Sequence, residues 1–505
     1  MVVQMPQEAS LPKTSLNNDL YPERVGHWLQ NKIQPARHNE WLSKYNPATG
    51  KLLTEIARGQ KEDAAIAIDI AVQAYPTWSQ TSVIRRAEIL RNAALLIQNR
   101  QDEIATIVSL ETGKSKKDAL GEVGAAIEMG YFVAGEGRRF YGKTTTSGVP
   151  NRTAMIVRQS LGPCALIIAA NTPAANVAWK VFPALLCGNT AILKASEDTP
   201  YSAVWFAQIL QEAGLPEGVL SVLQGDGEEV GAPLVESEQL PLVSFTGSVP
   251  VGRWIAKTGG ARLAKVCLEL GGKNALVVCD DADLDTAVDA AVLSAFSNAG
   301  QRCASGSRVI LFESIADQFT ELMLKKTKAL KLGFADSDDL GAVINENQLN
   351  HMLTAVSQAV TEGATLLCGG KRLDGGHYQN GYYLEPTILV NVSPSATISN
   401  SELFGPITCL YRVQNLEEAI QLNNNSPFGL TAAIHTQSIH RAEVFQQRSQ
   451  TGVVSINGPT YGSEPHLPFG GLRQSGNGFR EAGGEAMDVY SDWKTIYTRH
   501  DPNQI

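Results

Sequence analysis

The feature that most constrains this chain is a stretch, from Cys164 to Glu269, in which short apolar runs alternate with longer amphipathic ones. The runs at 164–170, 190–194, 219–224, 242–245 and 265–270 read as short buried strands. Segments near 175–187, 201–213, 227–236 and 249–258 carry helical spacing between them. Parallel strands need crossovers, and those crossovers are right-handed, so alternation of this kind predicts a parallel sheet. The expected architecture is α/β, with a Rossmann-like, nucleotide-binding sheet.

A second series follows, with strands expected at 274–278, 307–312, 407–412, 430–435 and 452–456 and helices near 284–297, 314–331, 347–362, 416–424 and 438–449. Its length, 505 residues, is too great for one simple core. Upstream, Asn46–Gly50 reads as a turn between extended pieces. Helical faces are expected at Ile66/Ile70/Ala74, at Val83/Ala87/Leu90/Ala94/Ile97, and at Ile104/Ile107/Val108/Glu111, the last stopped by Gly113. The stretch 120–135 is rich in Gly and Ala and suits a closely packed helix. Thr- and Val-rich segments at 144–149 and 154–159 suit a polar ribbon that pairs with another subunit, and the strand-like tail at 488–498 could join it. The expected division is 21–142 with 162–270 for the dinucleotide, 271–470 for catalysis, 143–161 with 488–500 for a bridging β element, and 1–20 as an arm.

A formal charge of −9 without clustered Lys or Arg disfavours nucleic acid. Seven cysteines without CxxC or Cys/His spacing argue against a disulfide framework and a metal site. Reduced thiols suit a cytoplasmic protein. No run approaches the ~20 apolar residues of a membrane span, and the first residues lack a secretion signal.

Three residues could carry chemistry. Cys303 sits in Asn298-Ala299-Gly300-Gln301-Arg302-Cys303, a glycine turn after an apolar helical run, and is either a cleft-facing nucleophile or a small core residue. Glu269 ends an apolar strand before Gly271-Gly272, where it is either a turn cap or a general base with a raised pKa. Asn171 ends the first strand and either caps the next helix or donates to an oxyanion. A thiol and a carboxylate facing one cleft suit acyl chemistry. A GxGxxG fingerprint is missing. Gly247-Ser248-Val249-Pro250-Val251-Gly252 stands in its place, as a phosphate-holding helix start or a plain turn.

Asn171, Trp179-Lys180, Lys194-Ala195-Ser196-Glu197, Phe245-Thr246-Gly247-Ser248, Leu268–Lys273, Gly300–Cys303, Glu402-Leu403-Phe404-Gly405-Pro406 and Pro468-Phe469-Gly470-Gly471 occur in the order of the aldehyde dehydrogenase superfamily, which the chain resembles from about residue 40 to 498. The resemblance implies oxidation of a small aldehyde to its acid with NAD or NADP, in a homodimer or homotetramer. Cys303 resembles the nucleophile, Asn171 and the Cys303 N–H the oxyanion hole, and Glu269 the base that activates water. Lys180 matches a lysine near the nicotinamide ribose and oxyanion region. Lys194, Ser196 and Glu197 match the adenosine side, and Gly247 and Ser248 the pyrophosphate. Trp179, Glu402 and Phe404 match the remaining cofactor contacts. Glu197 favours NAD, because two like unit charges 4 Å apart at an effective dielectric of ~20 repel by about 4 kcal/mol, which disfavours a 2′-phosphate. NADP stays open, since Lys194 and Ser196 adjoin Glu197.

The chain departs from the family's pattern at the substrate mouth. Ala169-Ala170 replaces Pro-Trp before Asn171, and Thr172 replaces an aromatic, which leaves a wider or more polar entrance. The anchoring loop 458–467 carries Tyr461, Glu464 and His466, with Phe469 beyond it. Arg302 either faces the tunnel, where it could hold the distal carboxylate of a semialdehyde, or makes a surface ion pair. Glu464 could neutralise it. Broad aliphatic or aromatic specificity is the alternative reading. A CoA-acylating relative is disfavoured by Glu269, and a non-enzymatic protein on this fold by the joint presence of Asn171, Glu269 and Cys303.

Overall fold

The computed structural model describes residues 20–504, so the expected arm falls almost wholly outside the described residues. Two seven-stranded sheets organise them. In the first, the strands lie in the order Lys265–Glu269, Leu242–Thr246, Cys164–Ile167, Ala191–Lys194, Leu220–Leu223, His27–Leu29 and Lys32–Gln34. The first five run parallel and the last two are antiparallel additions. The chain enters in the middle at Cys164–Ile167, works outward to Leu220–Leu223, then returns to the other side. That reversal opens a crevice beyond the carboxyl ends of Cys164–Ile167 and Leu242–Thr246. The helix Pro173–Leu186 starts on proline, which suits a first turn, and buries Val177, Val181, Phe182 and Leu185 against the sheet.

The second sheet has the order Thr365–Cys368, Thr387–Val390, Ile407–Val413, Gly306–Phe312, Asn274–Val278, Thr431–His435 and Val453–Ile456, parallel except at Thr365–Cys368. Glu269 closes the last strand of one sheet and Asn274 begins a central strand of the other. The carboxyl edge of the first sheet therefore meets the amino edge of the second at residues 270–273.

Several elements differ from expectation. The helix Lys61–Gln80 buries Ala64, Ala67, Ile68, Ala71 and Trp78, leaving Ile66, Ile70 and Ala74 half-buried at the edge of the stripe. Alanines supply that face because the helix lies close to the sheet, so counting isoleucines misplaced it. Residues 486–490 form a short helix, Ala486–Tyr490, and only Ser491–Arg499 is extended. Met487, Val489 and Tyr490 are buried, and that burial favours a turn of helix over a strand. The strands His27–Leu29, Lys32–Gln34 and Thr365–Cys368 carry too little apolar pattern to be read from sequence. After Val453–Ile456 the chain returns to the first body, where Gly476 bridges Glu269, while Phe469 bridges Glu481 within the returning segment. Ser491–Arg499 pairs along its whole length with Arg152–Ser160, which also pairs with Lys143–Thr146.

Candidate active site

Cys303 lies just before the strand Gly306–Phe312, on a turn that the local sequence forces into an unusual path. Asn298, Ala299 and Gly300 all adopt left-handed conformations, at φ 53°, 52° and 67°. Glycine tolerates this, alanine does so only at a cost, and a side chain on Gly300 would collide with the Gly405 carbonyl. The strain is held by a set of polar contacts. Asn274 Nδ2 donates to the Cys303 and Ser305 carbonyls at 2.7 and 2.9 Å. Ser305 Oγ donates to Gly300 O at 2.9 Å, and Thr460 Oγ1 to Ala304 O at 2.6 Å. Gln301 is buried and ties the turn to Ala342 and Ile344.

Asn171 reaches this turn from the first sheet. Its Nδ2 donates to Gln301 O at 3.1 Å, which leaves its second N–H for a ligand. Asn176 Nδ2 contacts Asn171 Oδ1 at 3.4 Å, and Lys114 Nζ donates to the Asn171 carbonyl at 2.8 Å. Cys303 is half-buried and its thiol is pushed up to about 12 by burial and by the Glu402 and Glu269 carboxylates, against the pull of Arg302 and the Ala304 N–H.

Glu269 is 5% exposed, and neither carboxylate oxygen has a hydrogen-bond partner. Burial, then the charge of Glu481, raises its pKa well above the usual range, against Lys180 and Arg480. Lys180 does not point into the cleft. It is fully buried behind Glu269, ion-paired with Glu481 and donating to Ser244 Oγ at 2.9 Å. Glu481, which the sequence reading missed, stands in a stretch between glycines with no periodicity to mark it.

Lys194 and Thr246 end neighbouring strands on the two sides of the strand Cys164–Ile167, where the strand order reverses, and the residues expected on the cofactor side follow them. Lys194, buried, pairs with the exposed Glu197 at 2.9 Å. Burial works against the charge of Glu197, but Lys194, backbone N–H and Lys44 outweigh it, so its pKa lies below the usual range. The Ser196 hydroxyl accepts from Asp198 N–H in the turn. Ser248 is the N-cap of Val249–Ala261, yet its side chain makes no capping bond, and Pro250 follows in the first turn. This start is open to an anion. Gly247 packs against the Phe245 ring. Trp179 meets Phe469 edge-on at 5.6 Å. Glu402 Oε1 accepts from Gly272 N–H at 3.0 Å, its pKa is lifted to about 7 by burial, and it fills the space a side chain on Gly271 would need. Phe404 follows with φ 57°. A buried cation beside a carboxylate, an uncapped helix start and a second carboxylate across the cleft fit a dinucleotide.

Of the residues expected at the substrate mouth, Thr172 precedes Pro173–Leu186 as its N-cap without a side-chain cap bond. Arg302 lies over the Tyr461 ring at 4.7 Å. Glu464 is not its partner: Glu464 pairs with His466 at 3.7 Å, and both are exposed on the rim. Among the described residues no cluster of three metal-ligating side chains occurs, and no helix is long and apolar enough to cross a membrane.

A model of the aldehyde dehydrogenase family matches residues 33–496. The chain is 35% identical to an alpha-ketoglutaric semialdehyde dehydrogenase of Bacillus subtilis, over 94% of this chain and 97% of the relative. It is 37% identical to a 2,5-dioxopentanoate dehydrogenase of Saccharolobus solfataricus, over 90% and 95%. The fold is similar to that of betaine aldehyde dehydrogenase from Staphylococcus aureus, solved in complex with NAD+, at a TM-score of 0.92 and 31% identity over 95% of each chain.

Proposed function

The chain belongs to the aldehyde dehydrogenase family and oxidises an aldehyde to its acid, and we propose that Cys303, Asn171 and Glu269 perform the reaction on a semialdehyde bearing a distal carboxylate. The observation that carries the assignment of roles is the pairing of a thiol on a strained turn with a buried carboxylate that has no partner.

Cys303 Sγ attacks the aldehyde carbon and gives up its proton, forming a thiohemiacetal. Because that thiol is held up to about 12, it needs help to ionise. The Ala304 N–H and the Arg302 charge favour the thiolate. Asn171, already fixed by Gln301, offers its second N–H to the oxyanion alongside the Cys303 backbone N–H. NAD(P), when bound, supplies the hydride acceptor. Lys194, Glu197, Ser248 and Glu402 would hold it, and breaking the C–H bond of the thiohemiacetal, with its hydride passed to that acceptor, would leave a Cys303 thioester. Glu269, once ionised, takes a proton from water. The hydroxide attacks the thioester, releases the acid and restores the thiol. The raised pKa of Glu269 makes turnover rise with pH.

NAD is preferred over NADP in this reading, because Lys194 keeps Glu197 ionised where a 2′-phosphate would lie. Comparing kcat/KM for the two cofactors tests it, and an NADP preference would overturn it. The distal carboxylate is held by Arg302, which makes no ion pair among the described residues. The names of the two semialdehyde relatives agree with this substrate class. Arg302→Ala is expected to raise KM for acidic aldehydes about tenfold or more and to spare neutral ones; equal effects on both would refute it. Met155, Trp493 and Tyr497 are exposed on the ribbon, and a second copy of the chain would cover them in a homodimer or homotetramer.

A further inference from the structure

The buried ion pair Lys114–Glu122 has no part in the reaction set out above, yet it is bonded to Asn171. Both side chains are 4% exposed, and they meet at 2.7 Å. A buried ion pair is weak evidence of a gain in stability, because desolvating two charges offsets much of their attraction. What distinguishes this pair is where its other bonds go. Lys114 Nζ also donates to the Asn171 carbonyl at 2.8 Å, and Glu122 Oε1 accepts from the Ala174 N–H at 2.7 Å. Thr172 makes no side-chain cap bond and Pro173 has no N–H, so Ala174 carries the first free donor of the helix Pro173–Leu186. Glu122 caps it from a different helix, Lys116–Glu136, and its negative charge suits a helix start. Lys114 is held in turn by Ser109, whose Oγ donates to its carbonyl at 2.6 Å.

These bonds grip the chain on both sides of Thr172-Pro173, at the carbonyl of residue 171 and the N–H of residue 174. They thereby fix the direction in which the Asn171 side chain leaves the backbone. The nucleophile turn holds the same residue from another side. Asn171 Nδ2 donates to Gln301 O at 3.1 Å, and Asn298 Nδ2 reaches the Asn171 carbonyl at 3.4 Å. A donor to an oxyanion is effective when it stands in place before the charge develops. A displacement of about 1 Å can lower a rate about 100-fold. We propose that Lys114 and Glu122 are positioning residues that aim Asn171 at the oxyanion, a role that rests on the reading of Asn171 given above. They act through Asn171, not on the substrate.

The test uses the full-length enzyme carrying Lys114→Met with Glu122→Gln, which removes both charges at similar volume and leaves an amide oxygen for the Ala174 N–H. Replacing both members of a buried pair is often neutral for stability, so the melting temperature is expected to stay near that of the wild type. For the aldehyde, kcat and kcat/KM are expected to fall together about 10–100-fold, with KM little changed. Cys303 is expected to react with iodoacetamide at the wild-type rate; a parallel loss there would put the effect at the nucleophile and overturn the proposal. In the Asn171→Ala background the same two substitutions are expected to change kcat by less than about twofold, because the group they aim is gone. Wild-type kcat in the doubly substituted enzyme, or an equal loss in both backgrounds, overturns the proposal. Should the doubly substituted enzyme not fold, Glu122→Gln alone is read by the same cycle. Undiminished kcat in Asn171→Ala refutes the oxyanion reading itself. Loss in Asn171→Ala beside wild-type kcat in the doubly substituted enzyme refutes only the positioning role.

Discussion

Glu111 and Glu269 are both carboxylates sealed from solvent, yet their surroundings are opposite. Glu111 is fully buried and accepts from Tyr21 OH at 2.7 Å, Tyr201 N–H at 2.6 Å, and the Ser202 hydroxyl and N–H, the last at 3.3 Å. It caps the helix Pro200–Glu212, whose own N-cap, Thr199, makes no side-chain bond. Burial raises it to about 7, and the surrounding donors and Lys44 restrain the rise. Glu269 has no donor, and a second carboxylate, Glu481, pushes its pKa further up. Burial is common to both sites, so burial does not distinguish structure from chemistry. Satisfaction does: the carboxylate with every lone pair occupied holds the fold, and the one with none is free to take a proton.

The largest effect is expected at Cys303, the proposed nucleophile. Cys303→Ala is expected to lower kcat by about 10⁴-fold or more, checked by NAD(P)H formation. Next, Glu269→Gln should lower kcat by about 10²–10⁴-fold while its melting temperature stays at or above that of the wild type, since a buried unpaired carboxylate is removed. Glu111→Gln should do the reverse, losing about 1–3 kcal/mol in denaturant unfolding with kcat little altered. If the two glutamine variants behaved alike, satisfaction would not be the discriminating property. The smallest effect is expected at Glu402, whose folded pKa of about 7 exceeds the ordinary 4.5. A folded pKa raised above the unfolded one means that the native state binds the extra proton between those values, so stability falls as pH rises from about 4.5 to about 7. Glu402→Gln should therefore melt above the wild type beyond that window, with the gap closing below it.

Much of this was legible in the sequence because it depends on patterns of short range. The five parallel strands of the first sheet and their helices announce themselves as apolar runs with turns between. The strain at Cys303 is foreshadowed by Gly300, though the left-handed Asn298 and Ala299 are not. What stayed hidden are partnerships across the chain. Lys180 and Glu481 are 301 residues apart, and Lys114 reaches the Asn171 carbonyl from 57 residues away in the chain. Whether a buried carboxylate is satisfied is likewise a matter of three-dimensional contacts. From sequence Glu111 was one more position on a helix face, and its partners Tyr21 and Ser202 lie on separate elements.

In the proposed reaction Glu269 acts after Cys303 has been acylated. The most direct measurement mixes Glu269→Gln with aldehyde and NAD, follows the first turnover, and weighs the intact protein. A burst of no more than one NADH per subunit followed by near-arrest is expected, with the acyl mass retained on Cys303. Steady turnover at the wild-type rate with no acyl adduct would contradict that order.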